Sequence, residues 1–465
     1  MTQTLNFQAL IDAQRENILR DTKEFVAIPS VKDMTTASET APFGKEIQRA
    51  LEWVITKVEA DGYTYKNVDN HAMHIEFGSG SELIGILGHL DVVPEGEGWT
   101  HAPFGGEIVD GKMYGRGTSD DKGPIIATYY AIQALLEAGV TFNKRVRIII
   151  GCDEETTWKC MDRYFQTEEQ PTFGFSPDAN FPIVNAEKGI TMMEATKTFS
   201  QLTTGVHTLI EIHTGTALNV VPEYTVLKFT TTNLEALTEA CQTAHTIAFD
   251  EATQIVTITF KGKPYHAKDP HLGVNSFDLA LAAITPLALD ANGETIKSLF
   301  QTYLAADPFG KKMGIFAEDD FLGTTTNNVG VIQYDGKQLQ FGMNIRYPKI
   351  VNFDTDIYPK VESALATYGV EVVLKKHTPA TYVDHNEPFI QTLFQVYEKH
   401  TGQKATPKAI GGGTYAKVLE KGVCFGPNFP EDGDTRIHQA DEFIPVESLI
   451  KAAVIYAEAI YELTR

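Results

Sequence analysis

A chain of 465 residues has room for two or more cores, and its 43% hydrophobic content can fill them. Its 61 acidic residues against 39 basic give a net charge of −22, which argues against a nucleic-acid binder and against attraction to anionic membranes. The four cysteines, Cys152, Cys160, Cys241 and Cys424, form no CxxC pair and predict reduced thiols in a cytoplasmic protein.

The N-terminal stretch MTQTLNFQALIDAQRENILRD has no apolar core of signal-peptide type, and no apolar run is long enough to span a bilayer. Helical spacing predicts a helix over 6–27, ending before Ile28-Pro29, and another over 43–60. Leu83–Leu87 is an apolar run that predicts a buried strand, and it ends in Gly88-His89-Leu90-Asp91. Gly115-Arg116-Gly117 marks a turn, and Lys122-Gly123-Pro124 opens a helix through about Ala138. Val146–Ile150 predicts a second buried strand, which runs into Cys152-Asp153-Glu154-Glu155. Strand, helix and strand in this order indicate a mainly α/β sheet.

After about Gly189 the pattern changes to Thr, Val and Ile alternation. Strands are expected at Thr208–His213, Thr225–Thr231, Ile255–Lys261, Asn328–Tyr334 and Gln338–Tyr347, with a helix at Ser276–Leu289. This reads as an α+β insertion with a faint internal repeat: Asn219-Val220-Val221 followed by LKF, and Asn328-Val329-Gly330 followed by LQFGM. From about Pro388 the chain returns to helix (Phe389–His400), a Gly411–Gly413 turn, a short strand at Val423–Gly426, His438 in a loop, and a final helix at Val446–Leu463.

Hydrolysis of an amide needs an activated water, a stabilised oxyanion and a proton for the leaving amine. Two divalent cations supply the first two. The chain offers a residue for each role: Asp120 as the bridge between two ions, His89 and Asp178 flanking one, Glu155 and His438 the other. Glu154 is then the general base on the metal-bridging water. Three ligand carboxylates and a hydroxide offset the four positive charges of two such ions. Each motif alone has an ordinary explanation as a cap, a turn or a surface pair. Their placement at successive strand ends is what points to a site. Mixed imidazole and carboxylate ligation suits zinc first, with manganese or cobalt also fitting. HExxH, GxSxG and P-loop patterns are absent.

GHLDVVPEGEGW, MYGRGTSDDKGP, the Asp153-Glu154-Glu155 triplet and SPDANFP resemble the M20 family of metallopeptidases over nearly the whole chain, and within it the PepV-type (Xaa-His or carnosine-like) dipeptidases of bacteria. The resemblance implies an M20-type dimetal α/β catalytic domain, mixed sheet flanked by helices, formed by 1–186 and 385–465. It implies an inserted, doubled α+β lid over 187–384, so that one chain supplies what a dimer supplies in shorter relatives, and hence a monomer. It implies the ligand roles above, with Asp91 orienting His89 and a cis peptide between Asp120 and Asp121. In the lid it places His266, rather than the nearby His271, as oxyanion stabiliser, and gives Asn219, Arg346 and Gly413 to substrate binding. The activity implied is hydrolysis of unblocked dipeptides. The alternative is an N-acyl-amino-acid deacylase of succinyl-diaminopimelate desuccinylase or acetylornithine deacetylase type. A metal-stabilised binding protein without turnover would have no use for Glu154.

Overall fold

The structure, a computed structural model, describes residues 5–465; Met1–Thr4, the start of the stretch read for a leader, lie outside the described residues. The chain forms two compact units. One comprises the chain up to Ala186 with Val383–Lys408 and Thr414–Arg465; the other comprises Glu187–Tyr382 with Ala409–Gly413.

The first unit is built on a mixed sheet. Six of its strands run in the order Tyr65–Val68, Ala72–Phe77, Arg145–Gly151, Leu83–His89, Phe173–Ser176 and Gly422–Cys424. The last four are parallel to one another, whereas the first two pair antiparallel. Leu83–His89 is buried along its whole length, as a central parallel strand covered on both faces must be. Helix Lys45–Ala60 buries one stripe, Ile47, Ala50, Leu51, Val54 and Val58, at the spacing of one helical face. Helices Phe7–Val26, Lys122–Glu137 and Val446–Thr464 pack on one another, and the last two are buried almost all round. Each fully buried Leu or Ile there stabilises the fold by roughly 1.5–3 kcal/mol. The strand expected at Val423–Gly426 is Gly422–Cys424, because Gly426 leaves the extended region at φ +76°. The Asp120–Asp121 peptide is cis.

The second unit is an eight-stranded antiparallel sheet in the order Thr246–Asp250, Ile255–Lys261, Tyr224–Thr231, His207–Thr214, Thr326–Tyr334, Gln338–Tyr347, Gly189–Thr198 and Glu371–Thr378. The two repeat-bearing pairs, His207–Thr214 with Tyr224–Thr231 and Thr326–Tyr334 with Gln338–Tyr347, meet at its centre. Helices Ser276–Ile284, Ala291–Tyr303 and Tyr358–Ala366 pack against the sheet, and Phe277, Phe300, Phe341 and Ile345 lie in its core. The helix expected over Ser276–Leu289 stops at Ile284: Pro286 has no N–H to donate to Ala282. Among the described residues no helix is long and apolar enough to cross a membrane.

Candidate metal centre

Neighbouring parallel strands deliver the polar cluster at their C-terminal ends, the edge where α/β sheets bind ligands. Leu83–His89 ends on His89. Arg145–Gly151 leads into Asp153, Glu154 and Glu155. Phe173–Ser176 leads into Asp178. Gly88 lets this edge close up: a Cβ there would lie 2.5 Å from the Asp121 carboxylate and from Ile125. Asp120 stands just before helix Lys122–Glu137, and His438 lies in the loop before strand Phe443–Pro445, in the left-handed region at φ +62°.

Asp120 is the centre of the cluster. Its Oδ1 lies 3.0 Å from His89 Nε2, and its Oδ2 lies 3.1 Å from His438 Nε2. Asp178 Oδ2 is 3.6 Å from His89 Nε2, and Glu155 Oε2 is 3.1 Å from His438 Nε2. The cluster thus divides into two donor sets that share one carboxylate. Donor atoms of His89, Asp120 and Glu155 lie within 4.8 Å of one another. His89 Nδ1 sits 2.8 Å from the Asp91 carbonyl, which fixes its proton there and leaves the Nε2 lone pair directed at the cluster.

The electrostatics match a cation site. Burial, together with the charges of Asp178, Glu155 and Asp120, pushes the Glu154 carboxyl well above its ordinary range. Burial and Asp120 push Asp178 up to about 7. Burial opposes charge on His438, yet Glu155 and Asp120 push it up to about 11. Asp120 is driven below the carboxylate range by His438 and His89 in spite of its burial. Crowded carboxylates and two imidazoles of this kind fit a pair of divalent ions, which would hold the acids ionised and take the imidazoles as neutral ligands.

Two supporting carboxylates, Glu442 and Asp153, were given no role in the sequence analysis. Glu442 is fully buried; its Oε2 receives Arg116, and its Oε1 receives the N–H groups of Gly117, Ser119 and Asp120, so it fixes the loop that presents Asp120. Asp153, also buried, receives Lys32 at 2.6 Å as well as Thr156 and Thr157, and so braces the turn carrying the two glutamates. The only sequence signal for these two was an acidic residue beside a motif already noted. Asp91 meets His89 as expected, but through its backbone carbonyl. Its carboxylate, 3.6 Å from His89 Nδ1, is farther away than its own carbonyl. Its two oxygens instead receive the N–H groups of Glu154 at 2.9 Å and Glu155 at 3.1 Å. A carboxylate at the end of one strand therefore orients both glutamates at the end of the next.

Asn219, His266, Arg346 and Gly413 all belong to the second unit. Arg346 is 4% exposed; it donates from Nε to Asn344 and from Nη1 to the Gly411 carbonyl. Among the described residues no carboxylate pairs with it, and burial pushes its pKa down to about 10. A buried guanidinium without a carboxylate is costly and calls for an anionic ligand. Lys268 N–H donates to His266 Nδ1 at 3.0 Å, so the neutral ring carries its proton on Nε2 as a donor. His271 instead lies with its ring 5.4 Å from that of Phe309, tilted against it, and borders a cavity of about 260 Å³.

Residues 85–462 match the family described as Peptidase family M20/M25/M40. A Staphylococcus aureus (strain MW2) protein named "Putative dipeptidase" is 39% identical over 464 residues, covering 97% of this chain and 98% of its own. Among solved structures, human carnosine dipeptidase 1 aligns with a TM-score of 0.56 at 16% identity, covering 98% of this chain and 99% of its own. The di-peptidase Dug1p of Saccharomyces cerevisiae aligns with a TM-score of 0.58 at 12% identity, covering 98% of each. At these identities the structural likeness shows the fold.

Proposed function

The chain belongs to peptidase family M20/M25/M40, a hydrolase of dipeptidase type, and from that premise we propose that it cleaves unblocked dipeptides in the cytoplasm as a monomer. The observation that carries this reading is the Asp120 carboxylate facing a different imidazole with each oxygen, with Glu154 beside it bound to neither. His89, Asp120 and Asp178 would hold one ion, and Asp120, Glu155 and His438 the other, with zinc the best match and manganese or cobalt also suited. When bound, the ions supply Lewis acidity to the scissile carbonyl.

This chain's residues do the rest. Glu154, its backbone pinned by Asp91, takes the proton of the attacking water and passes it to the leaving amine; its raised pKa favours that return. His266 offers Nε2–H to the carbonyl oxygen as it gains charge. Arg346 binds the C-terminal carboxylate bidentately, and Asn219 and Gly413 line the same substrate region. A carboxylate clamp one residue beyond the cut limits the substrate to a dipeptide. The four described cysteines, all free and buried, accord with a reducing compartment. The 39% identical relative's name weighs against the deacylase alternative.

The test is a panel of Ala-Ala, Ala-Ala-amide, Ala-Ala-Ala and N-acetyl-alanine, each assayed after chelation and after metal add-back. Ala-Ala should be cleaved far faster than the others, and only with metal. Equal rates across the peptides would remove the clamp, and preference for N-acetyl-alanine would establish the deacylase.

A further inference from the structure

The segment that carries Asn219 is a turn with no sheet ladder of its own, so its three central carbonyls need partners from elsewhere. The Asn219 carbonyl receives Ala267 N–H at 2.8 Å. The carbonyls on either side, Leu218 and Val220, both receive the side-chain amide of Asn328, at 2.8 and 3.0 Å. Asn328 is 2% exposed and lies more than a hundred residues further along the chain. One amide thus straddles Asn219, and with Ala267 N–H it partners all three carbonyls.

Asn328 stands on strand Thr326–Tyr334 opposite Asn344, and Thr326 stands opposite Arg346. Alternate residues share a face, so Thr326, Asn328, Asn344 and Arg346 lie together. Thr326 Oγ1 donates to the Ala267 carbonyl at 3.3 Å, and Val220 bridges His266. The Asn219 turn, the His266 segment and Arg346 therefore hang on one strand pair. The approach is close: a Cβ on Gly342 would meet Leu218 at 2.1 Å, and one on Gly330 would meet the Leu218 carbonyl at 2.6 Å. Asn328 is also the counterpart of Asn219 in the internal repeat. The first copy's side chain is left for substrate, and the second copy's is turned onto the first copy's backbone.

We propose that Asn328 is a positioning residue that sets Asn219 for substrate; this rests on the reading that Asn219 holds the dipeptide. Aspartate at 328 keeps the shape but, ionised, cannot donate to two carbonyls. Kinetics on Ala-Ala would compare Asn328→Ala, Asn328→Asp, Asn219→Ala and the Asn219→Ala/Asn328→Ala double variant, with metal content and melting temperature measured for each. Asn328→Ser replaces Asn328→Ala if the latter does not fold. Each Asn328 variant should lose roughly ten- to a hundredfold in kcat/KM, the scale of a small misplacement, with metal content unchanged. If Asn328 acts through Asn219, the double variant should be no slower than Asn219→Ala alone. Multiplying effects, or full activity in Asn328→Asp, would overturn the proposal while a wild type active on Ala-Ala kept the dipeptidase reading. A wild type inactive on every dipeptide would remove that reading and this inference with it.

Discussion

At the scale of single residues, adjacent glutamates are proposed to take different tasks, and a turn that splays their side chains allows it. Asp91 receives both N–H groups, so the backbone of the pair is common and only the side chains diverge. Glu155 reaches His438; among the described contacts the Glu154 carboxylate reaches no ligand. Glu154→Ala should therefore keep full metal content and lose nearly all turnover, whereas Glu155→Ala should lose metal as well. Elemental analysis and kinetics on the two purified variants decide this; a metal-replete Glu155 variant would break the assignment. The cluster itself was legible because most of its motifs follow a strand or precede a helix, His438 in its loop excepted. Glu442 and Asn328 were not legible, since a buried amide or carboxylate that serves distant backbone groups leaves no local pattern.

At the scale of elements, strand Ala72–Phe77 carries a titration outside the metal centre. His74 is buried, and Tyr164 Oη lies 2.7 Å from its Nδ1. Burial, with the charge of Arg147, pushes its pKa down to about 4. The unfolded chain takes up this proton near pH 6.5 and the folded chain only near 4, so stability is present above 6.5 and falls with pH through that window. The loss is on the order of 3 kcal/mol. His74→Gln, which keeps an acceptor for Tyr164, should be free of it. Urea unfolding of both proteins at pH 7 and pH 4.5 gives the difference, and a wild-type curve parallel to the variant's would dismiss the effect. The same scale shows what the pattern hides. Helix Ala291–Tyr303 had no sequence expectation because Asn292-Gly293 reads as a turn. In the fold both residues are buried, and Ile296, Leu299 and Phe300 fill the core, so packing overrides local preference. Leu83–His89 and Arg145–Gly151, by contrast, were readable because their buried centres, Leu83–Leu87 and Ile148–Ile150, are continuously apolar.

At the scale of the whole molecule, the internal repeat bears on assembly. Both repeat-bearing strand pairs lie in one continuous sheet of one chain, and Asn328 of the second copy already serves the turn of the first. No second chain is needed to complete that arrangement. The sheet does have open edges: Ile247 and Phe249 on Thr246–Asp250, and Val373 and Leu374 on Glu371–Thr378, are exposed. Such edges invite pairing, but a contact there would be additional to Asn328 and Arg346, which lie on the strands between them. The protein should therefore sediment as a single species near 51.3 kDa, and its specific activity on Ala-Ala should not change on dilution. Activity that falls as a dimer dissociates would show that a second chain completes the site, and the role given to the duplicated unit would fail with it.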